Sequence, residues 1–89
     1  MKDESSESWK IDDVRRSHVV YREGARVTWV LGEALAGGYS GADYVIYASN
    51  ALKWKPPHDG EPLLDEKKKE IIDRVLVALK TRGLKVEIE

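Results

Sequence analysis

The sequence predicts a small α+β domain, read as β-β-β-α-β, with a mainly antiparallel sheet and one helix packed on one of its faces. Three observations predict it. Two runs of β-branched and aromatic residues flank Glu23-Gly24, as in a hairpin. Ile71, Ile72, Val75, Leu76 and Leu79 recur with the period of one helix face. After Gly83, the segment Leu84-Lys-Val-Glu-Ile-Glu89 alternates apolar with charged residues, as a half-buried strand does. With 89 residues the chain makes one domain of modest core, burying roughly 60–65% of its unfolded surface.

Residues 1–10 are polar, acidic and without periodicity, which predicts a flexible tail, with residues 11–89 as the single domain. Trp9 is the one large apolar group in the tail and is expected to dock back on the domain. Residues 15–22 and 25–30 then form the hairpin. A turn at Glu23-Gly24 sets Arg22 opposite Ala25, Val20 opposite Val27 and His18 opposite Trp29. One face carries His18, Val20, Val27, Trp29 and Leu31; the other carries Val19, Tyr21, Arg26, Thr28 and Val30. Neither face is purely polar, so alternation leaves the choice open; Arg26 and Thr28 on the second favour the first as the core face.

Gly32-Glu-Ala-Leu leads into a glycine-bearing connection over residues 36–43. It lacks the Lys-Ser/Thr of a P-loop and the G-x-G-x-x-G fingerprint, so it reads as a hairpin connection, not a phosphate cradle. Residues 43–48 form a third strand, with Tyr44 and Ile46 on one side and Val45 and Tyr47 on the other. Pro56-Pro57, Asp59-Gly60 and Pro62 interrupt regular bonding. The helix opens with Asp65 as its cap and Glu66 at the positive end of the dipole, and it stops at Gly83. Leu84, Val86 and Ile88 are expected to point inward. One helix covers one sheet face; the other face is left open to water or to a partner, a candidate interface, and Tyr44 or Tyr47 must join it.

Composition narrows the function. Apolar content of 42% against 35% charged fits a globular chain. No apolar run approaches the ~20 residues of a membrane span, and the acidic N-terminus has no secretory h-region. The chain has no cysteine, which removes disulfides and thiolate metal sites and agrees with a cytoplasmic location. Net charge is −1. Arg15, Arg16, Arg22 and Arg26 give the hairpin only a weak nucleic-acid signature, against the alternative of solvated strand ends. Catalytic, metal and cofactor residues are not expected. The two histidines, His18 and His58, lack ligand spacing. His18 reads as a sheet residue with a satisfied hydrogen bond, and His58-Asp59 as a surface turn. Glu33 is either half-buried against a backbone group or an arginine, or an ordinary exposed acid. Three tryptophans and four tyrosines stand against no phenylalanine, a bias that suits an interface.

The run Trp54-Lys-Pro-Pro-His-Asp-Gly-Glu-Pro-Leu, followed by Asp65-Glu66, Ile71-Ile72, Leu76, Leu79 and Gly83-Leu-Lys-Val-Glu-Ile-Glu, resembles the immunity protein 74 family. Gly32-Glu33, the glycine-bearing loop and Tyr44-Val-Ile-Tyr-Ala48 are in keeping with it, so the similarity spans roughly residues 14–89. The chain departs from the family pattern at Leu64, where a Ser or Thr cap is expected. The resemblance implies a small bacterial protein made beside a toxin delivered between competing cells. It would bind the toxin's C-terminal domain in the cytoplasm and inhibit it by occlusion, without catalysis. Candidate partner-binding residues are then Glu33, Tyr39, Tyr44, Tyr47, Trp54, His58, Asp59 and Glu61. They belong to the open sheet face, the Tyr39 loop and the proline-stiffened 54–61 segment. A homodimer formed through the open face, and a small nucleic-acid-binding domain, are the alternatives.

Overall fold

The computed structural model describes residues 8–35, 41–48 and 52–89. Elements follow in the order β1 (Trp9–Val14), β2 (His18–Glu23), β3 (Arg26–Ala34), β4 (Tyr44–Ile46), α1 (Asp65–Thr81) and β5 (Val86–Ile88). The strands form one sheet in their sequence order, antiparallel except for the β4–β5 pair. The fold is α+β, with one strand more than the sequence reading gave.

That strand is β1. Trp9 and Lys10, assigned to the tail, are its first residues and pair with Glu23 and Arg22. Its pairing shifts between Ile11 and Asp13, the mark of a bulge. The extra residue re-phases the strand, so Trp9, Ile11 and Val14 all pack against the core. Strict alternation would send Ile11 and Val14 to opposite faces, which hides the strand from a period-2 reading. Trp9 does dock back: its ring stacks on Tyr21 at 6.1 Å, with the Arg74 guanidinium 5.4 Å above it.

In the β2–β3 hairpin Glu23 pairs with Arg26, so the turn residues are Gly24 and Ala25, with Gly24 at φ 60°. Arg22 therefore faces Val27, Val20 faces Trp29 and His18 faces Leu31. The expected register is displaced by two residues, which preserves the parity of every side chain. The expected core face is reversed, however. Val19, Tyr21, Thr28 and Val30 are wholly buried, whereas Trp29 and Leu31 are 43% and 41% exposed. Polar residues on the buried face are satisfied there: the Thr28 hydroxyl donates to the Lys53 carbonyl at 2.6 Å, and Arg26 pairs with Glu61 at 2.6 Å.

Gly32 continues β3 instead of ending it. A Cβ at this position would lie 2.5 Å from the Val45 carbonyl oxygen and 2.6 Å from Tyr44 Cε1, so β4 approaches only a glycine this closely. Tyr44 and Ile46 share one side, as expected, and it is the buried one, which leaves Tyr47 for the open face; β5 lies parallel to β4 with Val86 opposite Tyr44 and Ile88 opposite Ile46. Leu84 and Val86 pack partly buried against the core. Ile88 shares their face by register but is 51% exposed, being at the outer edge of the sheet.

Helix α1 buries Ile71, Ile72, Val75 and Leu79. Asp65 is its first helical residue and not its cap; that position belongs to Leu64, which makes no side-chain capping bond. Asp65 and Glu66 still set negative charge against the first turn. At the other end Leu84 N–H reaches the Leu79 carbonyl at 3.1 Å and Gly83 N–H the Lys80 carbonyl at 2.9 Å, with Gly83 at φ 88°. This is a Schellman stop.

Charge also ties α1 to the sheet. Tyr21 donates to the buried Glu23 carboxylate at 2.7 Å, Lys67 Nζ donates to it at 2.9 Å, and Arg74 reaches both Tyr21 Oη and Glu23. Glu70 completes the network with Lys67 at 2.6 Å and Arg74 at 3.2 Å. Burial pushes the Glu23 carboxyl up, but hydrogen bonds from Tyr21 and Lys67 and the charges of Lys67 and Arg74 outweigh it and hold it below its usual value. Burial and the bond to Glu23 raise the Tyr21 phenol, so it remains a donor.

Candidate partner-binding face

The sheet face away from α1 is built by alternation from β2 and β3. His18, Val20 and Arg22 come from β2, and Val27, Trp29, Leu31 and Glu33 from β3. Val45 of β4, followed by Tyr47, and Glu87 of β5 extend it to the far edge.

Trp29 stands near the middle of this face. The His18 ring stacks on it at 4.1 Å with 19° between planes, and Lys55 Nζ lies 3.9 Å from its centroid. Lys55 arrives there because of its neighbour. Trp54 forms a bridge with Thr28 on the outer side of β3 and is buried in the core, and Lys55 N–H bonds the Val27 carbonyl at 2.7 Å. In this extended segment successive side chains take opposite faces, so burying Trp54 directs Lys55 onto Trp29. Beyond it, Lys55 and His58 carbonyls accept from His58 and Glu61 amides, each at 3.0 Å, and Glu61 is held by Arg26.

Electrostatics divide the face. Around Trp29 it is basic: partial burial depresses the His18 pKa, and the nearby Arg15 and Lys55 charges depress it further, against Asp13. Asp12 is engaged by Arg22 at 2.7 Å and Lys10 at 3.6 Å, and Asp13 by Arg15 at 2.8 Å. Asp12 is held below its usual pKa by the Arg22 hydrogen bond first. At the other end Tyr47 donates to Glu33 at 2.8 Å, and that bond chiefly, with the charges of Glu33 and Glu89, raises the Tyr47 phenol. Glu87 flanks Val45 there, so this end is acidic. Arg16, Ser17, Gly32, Glu33, Ala34 and Leu35 line a cavity of about 600 Å³ beside it.

The structure brings Glu33 and Tyr47 together on the open face. Glu33 is exposed and accepts from a tyrosine, so the half-buried alternative for it does not hold. Tyr44 and Trp54 are core residues, 2% and 5% exposed, and offer little to a partner. The Tyr44 hydroxyl, pushed up to about 12 by burial, donates to the Arg15 carbonyl at 2.8 Å. His58, Asp59 and Glu61 lie in the turn beyond Lys55, near the Arg26 end of β3 and apart from Glu33. Tyr39 falls outside the described residues. Sequence reasoning missed Trp29, His18 and Leu31 as open-face residues, and it included Lys55 only as part of the 54–61 segment. The grouping of His18 with Trp29 was available from the hairpin parity, but it was assigned to the core. Among the described residues no helix is long and apolar enough to cross a membrane, and no three His, Asp or Glu side chains gather as metal ligands.

A family model described as immunity protein 74 matches residues 11–89. Comparison with curated proteins and with solved structures finds no match.

Proposed function

The chain belongs to the immunity protein 74 family, and from that membership we propose that it binds the toxic C-terminal domain of a cognate bacterial toxin and neutralises it by occlusion, without catalysis. It acts in the cytoplasm of the cell that makes it. The observation that carries the contact surface is the open sheet face, where Trp29 and Leu31 stay exposed opposite a well-packed helix face. Glu33 and Tyr47 extend that surface at one end, and the turn bearing His58, Asp59 and Glu61 forms its rim at the other. The non-catalytic role in this reading rests on the family membership.

Nucleic-acid binding is less well supported, because Arg15, Arg22 and Arg26 of the hairpin are each paired with a carboxylate. The test is co-expression with the C-terminal domain of the toxin encoded beside this chain. Co-purification together with restored growth is the expected result. Absence of both removes the antidote reading for that pair, and a homodimer in solution would then point to self-association through the same face.

A further inference from the structure

We infer that the toxin surface is acidic where it meets Trp29 and Lys55: an apolar or aromatic side chain packs on Trp29, and a carboxylate beside it pairs with Lys55. The inference rests on the toxin-binding reading and specifies its chemistry.

Trp29 is a pre-organised anchor. His18 stacks on the indole and Lys55 lies over it, so the ring is fixed before a partner arrives and little ordering is left to complete on binding. Lys55 is fixed in turn through its main chain, since its amide bonds Val27 and its neighbour Trp54 is buried. An ammonium has three donors. Among the described residues the Trp29 ring is the one partner of the Lys55 ammonium; no carboxylate pairs with it. The nearby acids are engaged elsewhere: Asp12 with Arg22 and Lys10, Asp13 with Arg15, Glu61 with Arg26.

The consequence is a constraint on the occupant. Any surface that covers Trp29 also takes Lys55, 3.9 Å away, out of water. A desolvated ammonium without an anion is strongly unfavourable, so only a partner that brings a negative group covers this anchor at low cost. A phosphate backbone would meet that need at Lys55 but would also run against Asp12, Asp13, Glu33 and Glu87 on the same face. A discrete carboxylate on a protein surface does not. The acidic Glu33–Glu87 end further fixes orientation, since a partner docked the other way round would set acid against acid.

The test measures affinity for the toxin C-terminal domain by titration calorimetry at low and high salt, with the melting temperature of each variant recorded. Lys55→Glu is expected to weaken binding at least about 100-fold and Trp29→Ala about 30-fold or more. Lys55→Arg should stay within severalfold, and Lys80→Glu, on the exposed side of α1, should leave affinity unchanged. A compensating carboxylate-to-lysine change in the toxin domain should restore affinity to Lys55→Glu. If the native protein binds tightly and Lys55→Glu, still folded, binds equally well, this inference falls while the antidote reading stands. If the native protein does not bind the toxin domain, both fall. Salt-sensitive binding of a mixed-sequence single-stranded RNA 12-mer that depends on Lys55 would also overturn it, by making phosphate the anion.

Discussion

The two faces of this sheet differ less in composition than in how their polar groups are partnered. The helix face contains Glu23, Thr28 and Arg26 beside Val19, Tyr21 and Val30; the open face contains His18, Arg22 and Lys55 beside Val20, Trp29 and Leu31. Under α1 the polar groups find charged or carbonyl partners in the helix and the 53–61 segment; Glu23 and Thr28 are buried there, while Arg26 and its partner Glu61 stay partly exposed. On the open side Trp29 and Leu31 lie beside the Lys55 ammonium and the Asp12-paired Arg22, and they stay half exposed. Burial here follows the availability of partners, not a count of apolar residues.

That contrast can be broken in order of expected effect. Leu79→Ala, at a wholly buried site between α1 and the sheet, should cost about 2–5 kcal/mol by leaving a cavity. The loss would appear as a lowered midpoint in chemical denaturation with little change in slope. Gly32→Ala places a methyl against the Val45 carbonyl oxygen and the Tyr44 ring, and about 1–3 kcal/mol is expected from the forced separation of β3 and β4. Glu23→Gln should cost about 1–3 kcal/mol, since it weakens charge-assisted bonds while Arg74 and Lys67 retain Glu70.

The same variant sharpens the contrast through pH. An unfolded glutamate titrates near 4.5, and folded Glu23 lies lower. Its stabilisation is therefore complete above pH 4.5 and is lost as pH falls through the folded value. Thermal unfolding between neutral and acid pH should accordingly show a shallower loss for Glu23→Gln than for the native chain. The smallest effect belongs to the open face. Trp29→Ala should lower stability by about 1 kcal/mol or less, the loss of ring contacts alone. A stability loss like that of Leu79→Ala would mean that Trp29 is a core residue and the face is closed.

The helix was legible because everything that specifies it is local: apolar spacing from Ile71 to Leu79, acids at the start and Gly83 at the end. The open face was legible in kind, since one helix cannot cover both sides of a sheet. Which side stays open was not. Parity in the β2–β3 hairpin grouped the right residues together, but the tie was decided by Arg26 and Thr28. Their partners, Glu61 and the Lys53 carbonyl, lie 35 and 25 residues away. Glu23 likewise finds Lys67 and Arg74 at separations of 44 and 51. No window of sequence contains that information. The same limit put Tyr44 and Trp54 among the candidate contacts: an aromatic with a polar handle suits an interface or a core, and only the helix position decides. Strand β1 was lost for a different reason, because its bulge breaks the alternation by which strands are recognised.

Strand order equal to sequence order has a consequence for how the protein is made. The first four strands are a meander whose neighbours are adjacent in the chain, so each can pair soon after it leaves the ribosome. The surface of Val19, Tyr21, Val30 and Ile46 that they create has no cover until α1 has been synthesised. Until then the nascent chain carries a greasy, sticky sheet, and any product that stops short of α1 is a candidate for aggregation and rapid proteolysis. The arrival of α1 on this sheet thus marks when the protein becomes safe from its own surface.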